Sequence, residues 1–479
     1  MSVSGPEYGR QRALPRAAAF WLIAVVLTLS LFAATAPSPL YRVYEAHLRF
    51  SAATLTAVFA VYAIAVLITL LIFGTLSDYL GRRPVIAAAL VVNIGACALF
   101  LMAHDVGLLF AARVLQGIAV GAATGALGAA MIDLQPAGSS LAPVVNSAAT
   151  SMGLAAGALG TSVLVQYAPA PTHLVWWLLL GGLAVAIIGV LMIPESAARR
   201  PGALSSLRPR VSIPPQARKT FVVAVPCLIA VWALGGLYLS LGPSLAAQVL
   251  RSPNDLWGGL VIFLLTGIGS ASAVAFRRIN PPTAMLAGCL FLLAGIAVTL
   301  AAIATMTAVT FLAGTAIAGV GFGVAFLGAF RTVAALADPA DRAGLVAAIY
   351  TVNYLGFSIP ALIAGVAVTH YGLRSTALVY CAVIAALVAA AVGSLMLRRR
   401  HLSKATGRGS GAIDLPPGPC TVPPTTCRTN PAGNLPGRIA RGGRALFPSR
   451  VGESPHPQET GLEIICTDRE KYYSDAFAA

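Results

Sequence analysis

Long apolar runs, separated by short clusters of charge, proline or glycine, fill the chain from Ala17 to Leu397. Bounded in this way they cover 17–38, 53–75, 84–103, 107–130, 143–168, 174–194, 220–242, 256–276, 283–303, 307–330, 344–368 and 375–397. An α-helix needs roughly 20 apolar residues, at about 1.5 Å each, to cross the core of a bilayer, so the pattern predicts twelve transmembrane spans. A membrane β-barrel would instead show segments of about ten residues alternating in polarity. The longest internal polar stretch, PESAARRPGALSSLRPRVSIPPQARKT from Pro194 to Thr220, divides the spans six and six. The expected organisation is an N-terminal segment 1–16, a six-helix half 17–194, a linker 195–219, a second six-helix half 220–397 and a tail 398–479. From about His401 the sequence turns Pro-, Gly-, Arg- and Ser-rich without apolar periodicity, a composition that predicts disorder.

Composition supports the membrane reading. The chain is 58% hydrophobic and 10% charged, with mean hydropathy +0.83, against about 45–50% apolar and about 25% charged for soluble domains. A soluble globular protein is excluded. The net charge of +16 would suit nucleic acid only on a basic face of a soluble domain, and here the cations sit in short loops and the tail. With the N-terminus inside, the inner segments hold Arg10, Arg12, Arg16, Arg82, Arg83, Arg199, Arg200, Arg208, Arg210, Arg218, Lys219, Arg277, Arg278, Arg331, Arg342, Arg398, Arg399 and Arg400. The outer segments hold Arg42, Arg49, Arg251 and Arg374, and this bias places both termini in the cytoplasm. The first apolar run exceeds the 7–15 residues of a signal-peptide core, so it reads as an uncleaved span. The seven cysteines form no C-x-x-C pair with flanking His, and neither a metal site nor a disulfide framework is expected. An excess of Arg over Lys is compatible with a GC-rich bacterial genome, which points to a bacterial inner membrane.

The halves carry traces of a repeat. Gly74, Arg82 and Arg83 after span 2 recur as Gly269, Arg277 and Arg278 after span 8, an offset of 195. Gly117 and Gly121 in span 4 match Gly319 and Gly323 in span 10, an offset of 202. Such duplication is a mark of secondary transporters.

The loop after span 2 reads GTLSDYLGRRP, Gly74 to Pro84. Gly74 permits close helix approach, Gly81 a tight turn, and the Asp78 carboxylate can sit at the positive end of a neighbouring helix. The pattern Gly74, Asp78, Gly81, Arg82, Arg83 resembles the signature loop of the major facilitator superfamily, with Tyr79 where that family usually has a basic residue. The resemblance implies a conformational latch against the start of span 11, near Asp341.

Arg113 is the formally charged side chain set deepest in a predicted span, about 10 Å from the outer surface at the rise of an α-helix. An intramembrane Arg must face the bundle interior or a wet cavity and find polar partners; the alternative is a snorkelling anchor at the interface. Gln116 and Gly117 share its helix face, and Gly117, Gly121 and Gly125 form a stripe for close packing. RVLQG resembles the arginine–glutamine–glycine motif of the drug/proton antiporter branch of that superfamily. Span 5 keeps Gly153, Gly157 and Gly160, but Ala158 stands where exporters of that branch carry proline, so a plain helix contact through Gly153 and Gly157 explains these residues equally well.

The resemblance implies an all-α fold in which spans 1, 4, 7 and 10 line a central cavity. Candidate substrate or coupling residues are then Thr28, Ser30, Arg113, Gln116, Trp232 and Tyr238, joined by Tyr350, Asn353 and Tyr354 on one face of span 11. Each could equally serve in an interhelical hydrogen bond or aromatic contact. Pro37 and Pro39 are expected to break span 1 at its outer mouth. No acid lies inside a span, which argues against cationic cargo and leaves a proton carrier unidentified. No G-x-x-x-x-G-K-[ST] loop suggests ATP-driven transport. The expectation is a monomeric secondary transporter in lipid, without cofactor or nucleic-acid partner, that couples efflux of a small neutral or amphiphilic compound to protons. Metabolite or sugar uptake, or a non-transporting sensor signalling through its tail, are the alternatives. No catalytic set converges in the spans, so an enzyme is not expected.

Overall fold

The computed structural model describes residues 14–408 apart from 137, 138, 140, 199, 210 and 337–341. Among the described residues there are sixteen helices and no strand. In chain order they are α1 (Arg16–Thr35), α2 (Pro37–Leu48), α3 (Ala52–Phe73), α4 (Ser77–Leu80), α5 (Arg82–Leu101), α6 (Val106–Leu134), α7 (Leu141–Tyr167) and α8 (Leu174–Met192). There follow α9 (Ala203–Ser206), α10 (Pro215–Ser240), α11 (Gly242–Leu250), α12 (Leu256–Ala275), α13 (Pro281–Thr305), α14 (Ala308–Ala334), α15 (Arg342–Tyr371) and α16 (Leu373–Arg408). Twelve helical stretches are long and apolar enough to cross a membrane, α1 and α2 counting as one. The fold is an all-α membrane bundle.

Local chemistry sets several helix starts. Ser51 accepts a hydrogen bond from the Thr54 N–H (3.3 Å) at the head of α3, and Asp105 accepts one from Leu108 (3.0 Å) at the head of α6. Pro215 and Pro281 occupy first helical positions, where no donor is needed. Because α10 begins at Pro215, the linker is shorter than the expected 195–219.

Two expectations change. Pro37 and Pro39 do not end span 1: Ala36 keeps helical angles (φ −51°, ψ −38°) and the helix resumes at Pro37. Pro37 lacks the N–H that the Ala33 carbonyl would have received, so the prolines interrupt the hydrogen-bond ladder without turning the chain. The helix of span 12 runs past Leu397 to Arg408, so residues 398–408 of the expected disordered tail are helical. No proline occurs before Pro416 to stop it. The remainder of the tail, 409–479, lies outside the described residues.

The repeat is visible in the neighbour pattern. Contacts α1·α6, α1·α7, α1·α8, α3·α6, α5·α6 and α5·α8 recur as α10·α14, α10·α15, α10·α16, α12·α14, α13·α14 and α13·α16. One offset, 202, relates the two sets. Arg49 and Arg251 end α2 and α11, at the same end of the bundle, in the left-handed region (φ 52° and 50°), and a Cβ on Gly117 or Gly319 would meet the carbonyl of Tyr62 or Leu264 at 2.6 Å. The offset of 195 is not structural: Gly74 caps the end of α3, whereas Gly269 lies inside α12 and Phe276 is the matching cap.

Glycine sets how closely spans meet. Gly117, Gly121 and Gly125 lie against Tyr62, Val66 and Gly74 of the α3 segment; Gly153 and Gly157 lie against Thr28 and Phe32 of α1; Gly319 and Gly323 lie against Leu264 and Gly269 of α12. Gly288 and Gly295 of α13 lie against Ala325 and Ala318 of α14, and Gly314, Gly321 and Gly328 of α14, at seven-residue steps, lie against Thr299, Leu292 and Met285 of α13. In lipid there is no hydrophobic drive between helices, so such close backbone approach carries the association.

The halves meet along two seams, α7 with α12 and α3 with α15. A Cβ at Gly259 would strike Ala158 and Ser162, and one at Gly365 would strike Thr56. Farther along, the Phe59 and Phe357 rings lie 4.7 Å apart. These contacts run from the end of the bundle that carries α2 and α11 to the middle of the spans.

Candidate functional site

Arg113 is 1% exposed and held from three helices. Its Nε donates to the Tyr41 hydroxyl of α2 (2.7 Å), and Nη1 donates to the Ala34 carbonyl of α1 (3.0 Å) and to Gln116 Oε1 (2.6 Å). Gln116 Nε2 in turn donates to the Ala33 carbonyl (2.8 Å), the acceptor that Pro37 leaves without its helical partner. The proline interruption thus supplies the polar partner that a buried polar side chain of span 4 requires. The guanidinium carbon lies 4.7 Å from the Tyr62 ring centroid and 5.3 Å from that of Tyr41, within cation–π range. Among the described residues no carboxylate forms an ion pair with Arg113, and Nη2 makes no hydrogen bond.

Across the α3–α15 seam stands an aromatic wall. Trp232 of α10 lies 5.6 Å from Phe326, 5.7 Å from Phe357, 6.0 Å from Tyr354 and 6.4 Å from Phe322, ring to ring. Oriented by its neighbours, the Asn353 amide accepts from Trp232 Nε1 (3.2 Å) and donates to the Ile349 carbonyl (3.3 Å). Trp232, Phe322, Phe326, Tyr350 and Tyr354 are half-buried, so this wall keeps accessible surface. Tyr62 and Tyr354 lie one helical turn from the touching Phe59 and Phe357 on their antiparallel helices, which brings the guanidinium side and the aromatic side toward one another.

Other candidates are placed differently. Tyr238 is 1% exposed and shares a hydrogen bond with Thr315 of α14 (2.8 Å), tying spans 7 and 10 together. Ser30 is likewise 1% exposed and donates to the Val26 carbonyl of its own helix (2.8 Å). Thr28 donates to Ala24 (2.9 Å) but remains half-buried. In this arrangement Ser30 and Tyr238 lie away from open space.

At the linker end, Arg82 pairs with Asp78, with Asp133 Oδ2 (3.1 Å) and with Ser77 Oγ (2.8 Å). Glu195, just beyond α8, accepts from the backbone N–H groups of Arg82 (2.8 Å) and Arg83 (3.2 Å), the first residues of α5. Glu195 thus places a carboxylate at the N-terminus of α5, a contact separate from the one expected of Asp78 at span 11. Gly81 permits it twice over: its φ is +99°, and a Cβ there would lie 2.7 Å from Glu195 Oε2. Gly74 ends α3 beneath this cluster. Asp341, the expected docking point for Asp78, lies outside the described residues.

At the opposite end Arg42 of α2 forms an ion pair with Asp255, just before α12 (2.8 Å). The Asp255 N–H donates to Gln166 Oε1 (2.8 Å), and Asn254 Nδ2 donates to the Tyr167 hydroxyl (3.4 Å). These bonds join the two halves. Sequence reading did not single out Tyr41, Tyr62, Glu195 or Asp255 as site residues. Their signals were present but local: Tyr41 follows the prolines, and Glu195 opens the linker.

The sequence model of the Major Facilitator Superfamily matches residues 22–305. No curated protein sequence matches the chain. Among solved structures, a bacterial homolog of the human lysosomal transporter Spinster, inward-facing and unoccupied, superposes with TM-score 0.62 at 15% identity, covering 80% of this chain and 98% of that one. The human organic anion transporter MFSD10 (TETRAN) gives 0.58 at 19% identity, covering 80% and 100%. The nucleoside transporter NupG gives 0.59 at 14% identity, covering 78% and 98%. At such identities the likeness is one of fold.

Proposed function

The chain belongs to the Major Facilitator Superfamily, and from that premise we propose that it is a secondary transporter that exports a small amphiphilic molecule by alternating access. One observation carries the reading. Two repeat-related halves touch along α7–α12 and α3–α15, and the contacts named above run from the α2 end only to mid-span, with Arg113 and the Trp232 wall beside the inner limit of one seam. A rocking of the halves about that midpoint would exchange access from one end to the other. The linker end is assigned to the cytoplasm by its arginines, so this arrangement is closed to the outside. The membrane is assigned as a bacterial inner membrane and the working unit as a monomer.

Protons are the proposed coupling ion, in keeping with the Arg113–Gln116–Gly117 resemblance. The described carboxylates stand at span ends: Glu45, Asp105 and Asp255 at the α2 end, and Asp78, Asp133 and Glu195 at the linker end. A proton carrier would have to be drawn from these groups. Everted membrane vesicles containing the full chain, energised and offered the neutral fluorescent amphiphile N-phenyl-1-naphthylamine, should accumulate it, and nigericin should abolish the accumulation by collapsing the pH gradient. Accumulation that survives nigericin removes proton coupling; no accumulation above vesicles lacking the chain removes export of this class.

A further inference from the structure

We propose that Arg113 and the Trp232 wall together take a small organic anion with a planar aromatic body, entering where Tyr62 now covers the guanidinium, which names the cargo class and rests on the transport reading above. The anionic preference follows from charge and hydrogen bonding together. Within the described spans the interior holds one cation and no carboxylate, and that cation has no ion-pair partner. Three of the five guanidinium N–H groups are used by Tyr41, Ala34 and Gln116, while the two on Nη2 have no acceptor. Nη2 keeps accessible surface inside the bundle, so these two charged donors can meet an acceptor that enters. The aromatic face of Tyr62 covers the guanidinium in this arrangement at 4.7 Å. An arriving anion gives Nη2 a full charge and lone pairs where the ring gives only a quadrupole, so it displaces Tyr62 and pairs with the fork in plane.

The planar body follows from the opposite wall. Phe322, Phe326 and Phe357 surround Trp232 at centroid distances of 5.6–6.4 Å. Phe326 meets it edge-on at 84°, whereas Tyr354 inclines to it by only 36°. These rings offer faces and edges to a flat aromatic group. The hydroxyls of Tyr350 and Tyr354 make no hydrogen bond among the described residues, so both can contact polar atoms on the ligand rim. A cationic ligand would meet Arg113 with no carboxylate to offset it, and an aliphatic anion would leave the ring wall unfilled.

The test uses the full chain in nanodiscs and calorimetric titration with three probes. Naphthalene-1-sulfonate is a permanent anion, naphthalene-1-sulfonamide its neutral isostere, and butanesulfonate an anion without a ring. Naphthalene-1-sulfonate should bind at least about tenfold more tightly than either of the others. In Arg113→Gln the preference of sulfonate over sulfonamide should fall to about one while the sulfonamide still binds, which separates lost recognition from lost folding. Trp232→Leu should weaken both naphthalene probes alike. Equal affinity of the wild-type chain for sulfonate and sulfonamide overturns the proposal, as does failure to bind either one, or a charge preference that survives Arg113→Gln. Accumulation of the neutral amphiphile in vesicles despite such a result would leave the transport reading standing, and sulfonate binding without flux would remove transport while keeping the ligand class.

Discussion

Arg113 occupies a place where an ion is unfavourable by about 2.5–3.5 kcal/mol on insertion scales, less toward the interface, yet its side chain is wrapped rather than snorkelling. Its acceptors lie on three helices, in directions that suit a planar fork and not the point charge of an ammonium. Arg113→Lys should reach the membrane in normal amounts and lose most transport. Hydrogen bonds to charged groups contribute about 1.5–3 kcal/mol each, so losing one of them at the step that reorients the halves slows it roughly 10- to 160-fold. Arg113→Leu should insert at least as well and also fail to transport. Flux measured against membrane abundance checks both variants, and a Lys variant with wild-type flux would remove the guanidinium-specific role. The face shared by Arg113 and Gln116 was legible from their three-residue spacing. Tyr41 and Tyr62 were not, because they come from other helices and nothing local marks a ring that will cover a guanidinium.

Two elements owe their form to a single position each. In span 1, Pro37 leaves the Ala33 carbonyl to Gln116 without bending Ala36 out of helical angles. Pro37→Ala returns a backbone donor that competes for that carbonyl. Its expected result is unchanged or higher thermal stability with reduced transport, checked by unfolding temperature and vesicle flux together; full transport would make the proline incidental. In α5, Glu195 receives the first two N–H groups, and a carboxylate at a helix N-terminus contributes about 0.3–1 kcal/mol at an exposed site. Glu195→Gln should therefore lower stability modestly, and more than Asp78→Asn, whose described partner is the Arg82 side chain; the reverse order would return the principal role to Asp78. At this scale span positions were readable from apolar runs, since bilayer thickness fixes helix length. The short helix α11 was not, because nine residues with Arg251 as a left-handed cap form no distinct apolar run. The seven-residue glycine steps of α13 and α14 stood in the sequence, but their meaning required knowing that these two helices are neighbours.

For the molecule as a whole, the question is what sets the balance between the arrangement seen here and its opposite. The α2 end is closed by Arg42–Asp255, by Gln166 accepting from the Asp255 backbone and by Asn254 with Tyr167. In the same α7–α12 seam the hydroxyl of Ser162, against Gly259, is buried without a hydrogen-bond partner, a cost that separation of the halves would relieve by hydration. Closure is thus held by a few polar bonds against a built-in opposing term. Arg42 and Asp255 retain 27% and 23% side-chain exposure, so the pair is partly screened and contributes about 0.2–1 kcal/mol, as exposed pairs do. Removing it should shift a two-state balance roughly 1.4- to 5-fold toward opening at the α2 end. A maleimide-reactive cysteine placed at Thr56, in the seam beside Gly365, should be labelled faster from the α2 side in Arg42→Gln and in Asp255→Asn. The charge reversal Arg42→Asp with Asp255→Arg should restore the slow rate, since attraction survives the exchange while each single reversal sets like charges together. Labelling that is equally slow in all variants would show that helix packing alone sets the closed state, and fast labelling in the double reversal would mean that these two side chains act through partners other than each other.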